Sequence, residues 1–355
     1  MSERILIFEN KDGREVEVVF DPEDSVLNLD KKGIVSIDLE PLRGSDNLVE
    51  LQLGSNKMEN VDVDPLGECP NLEILSLFKN TIGEIDLRPL ANCSKLAELN
   101  LGTTGLVEID ISPLSSTSLK RLRLLNNQLT EIDLTPLSNV VSLESLELEN
   151  NQLSFVDTTA LKKCKNLSQL NLMYNELESI DLSPLKSNSS MKFLYLHHNM
   201  LKDIDLAPVA GWLDFRILRL GGNVLESIDL SPLASCTALR RLGLAMNKIS
   251  KIDLEPLGNC VEMRALDIAG NQIEFIDITP LKNCKALEEL YLYSDHPTEN
   301  TFTELDLTAL FSCVDLEDIG VPTSIDLKAA ARCKKRKKIP YALEELIDDD
   351  LIKWV

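Results

Sequence analysis

The sequence predicts an α/β solenoid, a single stack of about thirteen short structural repeats instead of several globular domains. The hexapeptide Ile-Asp-Leu-x-Pro-Leu, or a close variant, recurs about every 24 residues along most of the chain. A unit of that length cannot bury its own apolar face and must stack on a neighbour. A run of alternating leucines precedes each hexapeptide, and both chain ends depart from the pattern. The hexapeptides start at Ile37, Val61, Ile85, Ile109, Ile132, Val156, Ile180, Ile204, Ile228, Ile252, Ile276, Leu305 and Ile325.

The first half of each repeat predicts a short strand, which is followed in most repeats by an asparagine; Thr104, Asp295 and Ser324 interrupt that column. An example is Leu72-Glu-Ile-Leu75-Ser-Leu77-Phe-Lys-Asn80. Leu75 and Leu77 alternate with other residues, so both point into the core and equivalent strands pair in parallel. An inward Asn80 at the following bend satisfies backbone groups that no strand pairs. This spacing is the leucine-rich repeat signature.

The repeat resembles the SDS22-like class of leucine-rich repeats and also the internalin repeats. Asn247-Lys-Ile249-Ser-Lys-Ile252-Asp-Leu254-Glu-Pro-Leu257 follows their Asn-x-Ile-x-x-Ile-x-x-Leu spine, with two extra residues around Asp-Leu. The resemblance implies a right-handed horseshoe, with a parallel sheet on the concave side and short 3-10 or helical turns on the convex side. It implies no particular partner, and no functional residue is transferred from it.

The second half of each repeat predicts an outward aspartate followed by a turn. Ser112, Thr135, Ser183, Ser231 and Thr279 directly precede proline. This order is typical of a helix N-cap followed by proline at the first helical position. We therefore expect one turn of helix or 3-10 helix after each aspartate.

The aspartates form a column of thirteen carboxylates from Asp38 to Asp326. Carboxylates stacked every ~5 Å repel one another. We expect each to accept a backbone N–H bond from the turn that follows. A ladder of calcium ions is the alternative, because Ca²⁺ prefers oxygen ligands.

The eight cysteines each lie seven residues after a repeat aspartate, where other repeats carry Thr117, Val140 or Trp212. This variation predicts a small buried niche in which cysteine acts as a small hydrophobe. Without a Cys-x-x-Cys pair, we expect free thiols and a reducing compartment. The N-terminal residues 1–5 show no signal peptide, and no apolar run is long enough to span a membrane. We expect a cytoplasmic protein, or a nuclear one if the source is eukaryotic.

The chain ends predict caps that cover the exposed faces of the terminal repeats. Residues 1–26 are assigned to a β-hairpin cap, because Asp12-Gly13 separates two alternating apolar runs within residues 3–20. Residues 27–333 form the repeat array. Residues 334–355 are assigned to a basic linker and a capping helix, because apolar residues recur there at helical spacing. They are Leu343, Leu346, Ile347, Leu351 and Trp354.

The net charge of the chain restricts the classes of partner that it is expected to bind. With 36 Lys and Arg against 58 Asp and Glu, the formal net charge is −22. Nucleic acids and anionic membranes need a positive surface, so neither is expected as a main partner. A basic protein is favoured. Lys334–Lys338 is a basic cluster in this acidic chain. It is interpreted as a solvated turn, with a nuclear-import signal or a contact to an acidic surface as the alternatives.

The sequence contains no recognisable catalytic constellation, and we expect neither an enzyme nor a cofactor or metal site. His197 and His198 are adjacent, so on a strand they point to opposite sides and are not expected to bind one ion together. His296 lies in the irregular insertion from Asp295 to Glu304, interpreted as a loop that modifies one edge.

The candidate binding residues are large side chains that are predicted to face outward although the packing of the core does not require them there. Tyrosine, arginine and methionine are enriched at protein interfaces. We therefore expect a monomeric, non-catalytic scaffold that binds a protein on its concave face. The alternatives are recognition of a glycan or nucleotide, and calcium binding through the aspartates. The candidates are Met173, Tyr174, Phe193, Tyr195, His197, Ile217, Arg219, Arg241, Tyr291 and Tyr293.

Overall fold

A computed structural model describes residues 4–294 and 299–355, which divide into two compact units. Unit 1 is Met1–Glu176 and unit 2 is Leu177–Val355. Each unit repeats the same strand, bend and turn.

Within residues 4–176, unit 1 contains ten strands. They are β1 Arg4–Asn10, β2 Glu15–Phe20, β3 Val26–Asn28, β4 Ile34–Ile37, β5 Glu50–Gln52, β6 Ile74–Ser76, β7 Glu98–Asn100, β8 Arg121–Arg123, β9 Ser145–Glu147 and β10 Gln169–Asn171. Strands β3 and β5 to β10 pair in parallel, each with the next in sequence. The turns between them are 3-10 helices at Glu40–Leu42, Asp64–Glu68, Arg88–Asn92, Ser112–Ser116, Thr135–Asn139 and Thr158–Lys163.

The described residues of unit 2 contain nine strands and one α-helix. The strands are β11 Phe193–Tyr195, β12 Ile217–Arg219, β13 Arg241–Gly243, β14 Ala265–Asp267, β15 Glu289–Tyr291, β16 Glu304–Asp306, β17 Asp318–Gly320, β18 Asp326–Ala329 and β19 Ile352–Trp354. Helix α1 is Tyr341–Asp348. Strands β11 to β15 and β17 form a parallel sheet. The 3-10 helices are Ser183–Leu185, Ala207–Gly211, Ser231–Ser235, Glu255–Asn259, Thr279–Asn283, Leu307–Ser312 and Ala331–Lys335.

The inward leucines and the asparagines build the core as predicted. Leu75 and Leu77 are fully buried. The side-chain amide of Asn80 donates to the carbonyls of Leu53, at 3.0 Å, and Leu77, at 2.8 Å. Its oxygen accepts the Met58 N–H at 3.1 Å. Each such asparagine therefore ties two successive repeats together and satisfies the backbone at the bend.

The aspartate column caps the 3-10 turns, as predicted. The carboxylate of Asp229 accepts the N–H of Ser231 at 2.8 Å, and the Ser231 hydroxyl donates to its second oxygen at 2.9 Å. These bonds hold the pKa of Asp229 below its usual value. The predicted N-cap role of the residues before proline is wrong. Ser231 begins its helix instead of capping it, because the aspartate two residues earlier already supplies the acceptor.

The cysteine column is buried, as predicted, and consists of free thiols. Its niche also has a polar role that the sequence interpretation missed. The thiol of Cys93 donates to the Leu66 carbonyl of the preceding repeat at 3.2 Å. Trp212 occupies the same position in unit 2 and donates its ring N–H to the Leu185 carbonyl at 3.1 Å. Cys93 and Trp212 therefore use the niche to donate a hydrogen bond to the preceding repeat, whereas Val140 fills it without one, and the size of the niche varies between repeats.

The N-terminal segment forms a three-stranded sheet. Strands β1 and β2 pair as an antiparallel hairpin where the sequence predicts one. Strand β4 pairs with the other edge of β1. Leu6 and Phe20 are buried beneath this sheet.

The C-terminal segment departs from the predicted single helix. Helix α1 ends at Asp348, and Ile352–Trp354 forms β19, which pairs in parallel with β18. The basic segment is not simply a linker either. The 3-10 helix Ala331–Lys335 includes its first two lysines and buries Cys333.

Candidate functional site

The parallel sheet of unit 2 carries two aligned outward columns, which we call the strand face of unit 2. Neighbouring strands stand ~4.8 Å apart, so residues in register form one surface. The first column runs Phe193, Ile217, Arg241, Ala265, Glu289 and Asp318. The second runs Tyr195, Arg219, Gly243, Asp267, Tyr291 and Gly320.

The first strands of this face form an aromatic platform. The rings of Phe193 and Tyr195 lie nearly parallel, with centroids 6.5 Å apart. The ring of His197 meets Tyr195 edge-on at 6.4 Å. Burial raises the pKa of Tyr195 and lowers the pKa of His197 to about 4. Both side chains are therefore neutral at physiological pH.

Arg219 is exposed beside this platform, and the opposite charge with which it interacts electrostatically is Asp267. It is in register with Tyr195 on β11 and with Gly243 on β13. A Cβ added at Gly243 would lie 3.8 Å from Cγ of Arg219, so the arginine stem lies beside a position without a side chain. Within the described residues, its guanidinium makes no hydrogen bond or ion pair.

The later strands of the face carry the acids. Arg241 reaches across the small Ala265 and pairs with Glu289 at 3.2 Å. The Tyr291 hydroxyl donates to the Asp318 carboxylate, a bond that raises the pKa of Tyr291 to about 12. Asp267 accepts the N–H of Ala269 at 3.2 Å, and burial raises its pKa.

A shallow cavity of about 120 Å³ lies where these two halves meet. Gly243 and Ala265 leave its floor open. Charged and aromatic side chains form its walls, namely Arg219, Arg241, Asp267, Glu289 and Tyr291. The site thus offers a free guanidinium and a carboxylate on opposite sides of a small depression.

The structure places most, but not all, of the predicted binding residues on this face. Phe193, Tyr195, Ile217, Arg219, Arg241 and Tyr291 belong to its two columns. His197 and Tyr293 lie just beyond β11 and β15, and both are partly buried. Met173 and Tyr174 belong to unit 1. Tyr174 occupies the bend after β10, with a φ of 52°, so it does not follow the strand alternation.

The sequence interpretation missed Asp267, Glu289, Asp318 and the two small residues between the charges. All lie in the same columns, so the alternation that identified Arg219 also marked them. Acidic and small residues are not the types enriched at interfaces, so composition alone does not single them out. Gly243 and Ala265 matter because their small size leaves space for the depression and lets Arg241 reach Glu289.

The equivalent face of unit 1 neutralises its own charges. Arg123 pairs with Glu147 at 3.3 Å and with Glu98 at 3.7 Å. Arg121 also pairs with Glu98. No comparable unpaired arginine stands in this cluster within residues 4–176, so it offers a partner less uncompensated charge than Arg219 does.

Glu149 has a strongly shifted carboxyl group on this side of unit 1. It lies just beyond β9, between Leu125 and Met173 at the same position of the neighbouring repeats. Its Oε2 atom is buried and has no hydrogen-bond partner in the described chain. Burial is the main cause that raises its pKa to about 7.

We expect Glu149→Gln to stabilise the protein at alkaline pH and to change little at pH 4. The folded protein binds this proton more tightly than the unfolded chain, whose carboxyl has its ordinary pKa of 4.5. The free energy of unfolding of the wild type therefore falls as the pH rises from about 4.5 to 7 and stays lower above that. Because the carboxyl remains partly exposed, screening limits the gain at pH 8 to about 1–2 kcal/mol. Urea unfolding between pH 4 and 8 measures it. Glu131→Gln, at an exposed glutamate, is the control, and identical pH dependence in wild type and Glu149→Gln would contradict the expectation.

The flank of unit 1 carries part of the aspartate column in a groove of about 920 Å³, lined by Asp86, Asp110 and Asp133 among others. Each of these carboxylates already accepts a backbone N–H, at 2.8 to 2.9 Å. Residues 4–294 and 299–355 contain no group of three or more His, Cys, Asp and Glu placed to hold a metal ion.

The remaining sequence candidates are dispersed. The rings of His197 and His198 meet edge-on at 5.5 Å, so the expectation that they point to opposite sides is wrong. The reason is that His198 lies in the bend after β11, with a φ of 55°. His296 and most of the proposed edge loop, residues 295–298, lie outside the described residues.

The basic cluster Lys334–Lys338 is exposed and only partly engaged. Lys338 lies 3.8 Å from Asp315. Arg336 donates to the carbonyl of Phe311. The ammonium of Lys334 lies 5.5 Å from the centre of the Trp354 ring. In the part of the chain that the structure describes, none of the helices has the length and apolar character needed to cross a membrane.

Comparisons with known proteins support the fold. An internalin, InlF of Listeria monocytogenes, is similar in structure, with 25% identity and a TM-score of 0.69 over 86% of this chain and 90% of that one. The functional domain of InlJ from the same species, which includes a cysteine ladder, has 23% identity and a TM-score of 0.64 over 86% and 62%. The plant peptide hormone receptor RGFR1 in complex with RGF2 has 18% identity and a TM-score of 0.63 over 88% and 55%. No curated protein matches the chain.

Two family profiles match the sequence directly. The profile described as leucine rich repeat matches residues 117–177. The profile described as BspA type leucine rich repeat region matches residues 26–134 and 220–336, more than half of the chain. Together with the parallel strands and 3-10 turns, these matches confirm the predicted right-handed leucine-rich-repeat solenoid of about thirteen repeats. The chain belongs to the leucine-rich repeat family, with BspA-type repeats over most of its length.

Proposed function

We propose that this protein is a non-catalytic scaffold that binds a protein partner through the strand face of unit 2. The observation that carries the proposal is the pair Tyr195 and Arg219, which stand in register on neighbouring strands. The alternating leucines and asparagines already complete the core without them. A half-buried tyrosine beside an unpaired guanidinium is the composition of an interaction hot spot.

The size of the site favours a protein over a glycan or a nucleotide. Pockets for small ligands generally enclose about 300–1,000 Å³. The cavity on the strand face of unit 2 measures about 120 Å³. It is large enough for the end of one side chain, whereas the surrounding flat face suits a broad contact. The structurally similar RGFR1 was solved in complex with RGF2.

The thiols and the charge support a proposal for the compartment and the partner of the protein. Eight buried free cysteines favour a reducing compartment, so we propose a cytoplasmic monomer. The net charge of −22 favours a partner that is basic overall. Such a partner should bind faster at low ionic strength than at high ionic strength.

The double variant Tyr195→Ala with Arg219→Ala tests the proposal. We expect it to abolish capture of the main partner from native lysate, because it removes the aromatic contact and the free charge together. Both side chains project from the core, so the melting temperature should fall by no more than a few degrees. Immobilised protein, mass spectrometry of the retained proteins and a repeat with the purified partner provide the measurement.

The matched control is Tyr341→Ala with Lys248→Ala. It removes an exposed tyrosine and an exposed cation of unit 2 that lie off the strand face. This control should capture the partner normally. Normal capture by the Tyr195 and Arg219 variant would move the binding site elsewhere, with Lys334–Lys338 as the next surface to test.

A further inference from the structure

The charges on the strand face of unit 2 are separated by sign. Strands β11 to β13 contribute Arg219 and Arg241 and no acid to the two columns. Strands β14, β15 and β17 contribute Asp267, Glu289 and Asp318 and no base. A partner segment that crosses the strands therefore meets positive charge first and negative charge second.

Contacts with other side chains of the face already engage three of these five charged groups. Arg241 and Glu289 neutralise each other across Ala265. Asp318 keeps its charge, but its carboxylate already accepts the Tyr291 hydroxyl and lies on the last strand of the face. Arg219 has no hydrogen bond or ion pair within the described residues, and Asp267 has one backbone hydrogen bond but no ion pair. These two opposite charges interact with each other through space but form no ion pair, so each can pair directly with a ligand.

The distance between the two free charges defines a spacing. Arg219 and Asp267 are in register on β12 and β14, with Gly243 of β13 between them. Two strand spacings amount to ~10 Å. A polyproline II segment advances ~3.1 Å per residue and turns once every three residues, so two side chains three residues apart lie on the same side and cover the separation. A free amino acid holds its α-carboxylate and α-ammonium too close together to reach both.

We propose that the strand face of unit 2 binds a peptide segment in the polyproline II conformation, in which an acidic and a basic side chain stand three residues apart on one side. The carboxylate pairs with Arg219, whose planar guanidinium suits bidentate contact. The basic side chain enters the depression over Gly243 and pairs with Asp267. An apolar side chain next to the acid packs on Phe193 and Ile217. This proposal rests on the function proposed above and specifies the chemistry of the partner.

The proposed acidic side chain of the peptide does not conflict with a partner whose net charge is positive. The protein carries a net charge of −22, but the patch around Arg219 is locally positive. A partner with one acidic residue inside a basic segment complements both the negative net charge of the protein and the positive charge of Arg219. The acid fixes the register of the segment, and the long-range field promotes its approach.

Fluorescence anisotropy of labelled peptides with the full-length protein tests the spacing. The peptides share one length and one apolar residue and contain Glu-x-x-Lys, adjacent Glu-Lys, Lys-x-x-Lys or Glu-x-x-Glu. We expect Glu-x-x-Lys to bind at least ten-fold more tightly than the other three. Equal affinity for the spaced and the adjacent pair would overturn the spacing, and no binding by any peptide would overturn the proposal.

The variant Arg219→Glu assigns the contact to its residue. It should weaken Glu-x-x-Lys at least ten-fold and make Lys-x-x-Lys the preferred peptide, because the patch then presents two acids. Lys248→Glu makes the same change of charge at an exposed position off the face and should leave the preference unchanged. An unchanged preference in Arg219→Glu would overturn the proposal. An unaltered melting temperature shows that the variant is folded.

The two proposals fail in different ways. If the Tyr195 and Arg219 double variant loses capture of the native partner while no peptide of the panel binds, the peptide chemistry is wrong and the binding face stands. If the double variant captures the partner normally, the binding face itself is wrong.

Discussion

Deletion of residues 341–355 is expected to make the protein aggregate or lose its terminal repeats. Helix α1 buries Leu343 completely and Leu346 almost completely. Its Ala342 N–H donates to the carbonyl of Leu316 at 3.1 Å, which fastens the helix to the last repeats. Each apolar side chain uncovered by the deletion forfeits about 1.5–3 kcal/mol. The end of a solenoid without a cap exposes its core.

The deletion also removes β19 and thereby frees a strand edge. Strand β19 pairs with β18 through Leu327–Ile352 and two neighbouring residue pairs. The Trp354 ring packs against Phe311, with centroids 5.9 Å apart. An unpaired strand edge beside exposed apolar side chains is a template for aggregation. The expected effect is therefore larger than that of the lost helix alone.

Size-exclusion chromatography and thermal unfolding of the truncated protein provide the measurement. The control is Tyr341→Ala, because that residue begins helix α1 but is 73% exposed. The control should behave like the wild type. A monomeric truncated protein with unchanged melting temperature would show that residues 341–355 are a tail and not a cap.

The fold could be predicted from the repeat period because nearly the same pattern of residues recurs in successive repeats. The leucine alternation, the bend asparagine and the aspartate before the turn each have a local physical cause, so thirteen copies reinforce one interpretation. The chain ends lack that redundancy. At the C-terminus, Leu351 and Trp354 fit a helical period as well as a strand. The pairing of β19 with β18 decides between them, and this contact joins Leu327 and Ile352, 25 residues apart in sequence.

The candidate site shows the same limit in another form. Strand alternation identified Arg219 and Arg241 as outward, and the register of β11 with β12 follows from the period. Which arginine stays free does not follow. Arg241 is neutralised by Glu289, two repeats away, because the residue between them is the small Ala265. Such pairings depend on side-chain reach and on the size of the intervening residue, which a single repeat does not encode.

Trp212→Ala is expected to cause the largest loss of stability of any single substitution considered. Trp212 is the largest fully buried side chain in the described core and occupies the cysteine column. Its ring packs edge-on against Phe215, with centroids 5.1 Å apart, and its N–H satisfies the Leu185 carbonyl. Replacing a buried tryptophan by alanine costs about 3–5 kcal/mol through lost burial and the cavity left behind. The orphaned carbonyl adds about 1 kcal/mol.

Tryptophan fluorescence isolates this effect, because the sequence has two tryptophans and both lie in unit 2. In Trp212→Ala the remaining Trp354 reports unfolding, which should begin about 10 °C or more below that of the wild type. Trp212→Cys restores a donor of the kind found at Cys236 but leaves the cavity, so it should recover only the hydrogen-bond part. Cys236→Ala removes far less volume from the same column and should cost about 1 kcal/mol. Equal losses in Trp212→Ala and Cys236→Ala would show that the niche collapses around whatever occupies it and that its size is not fixed by packing.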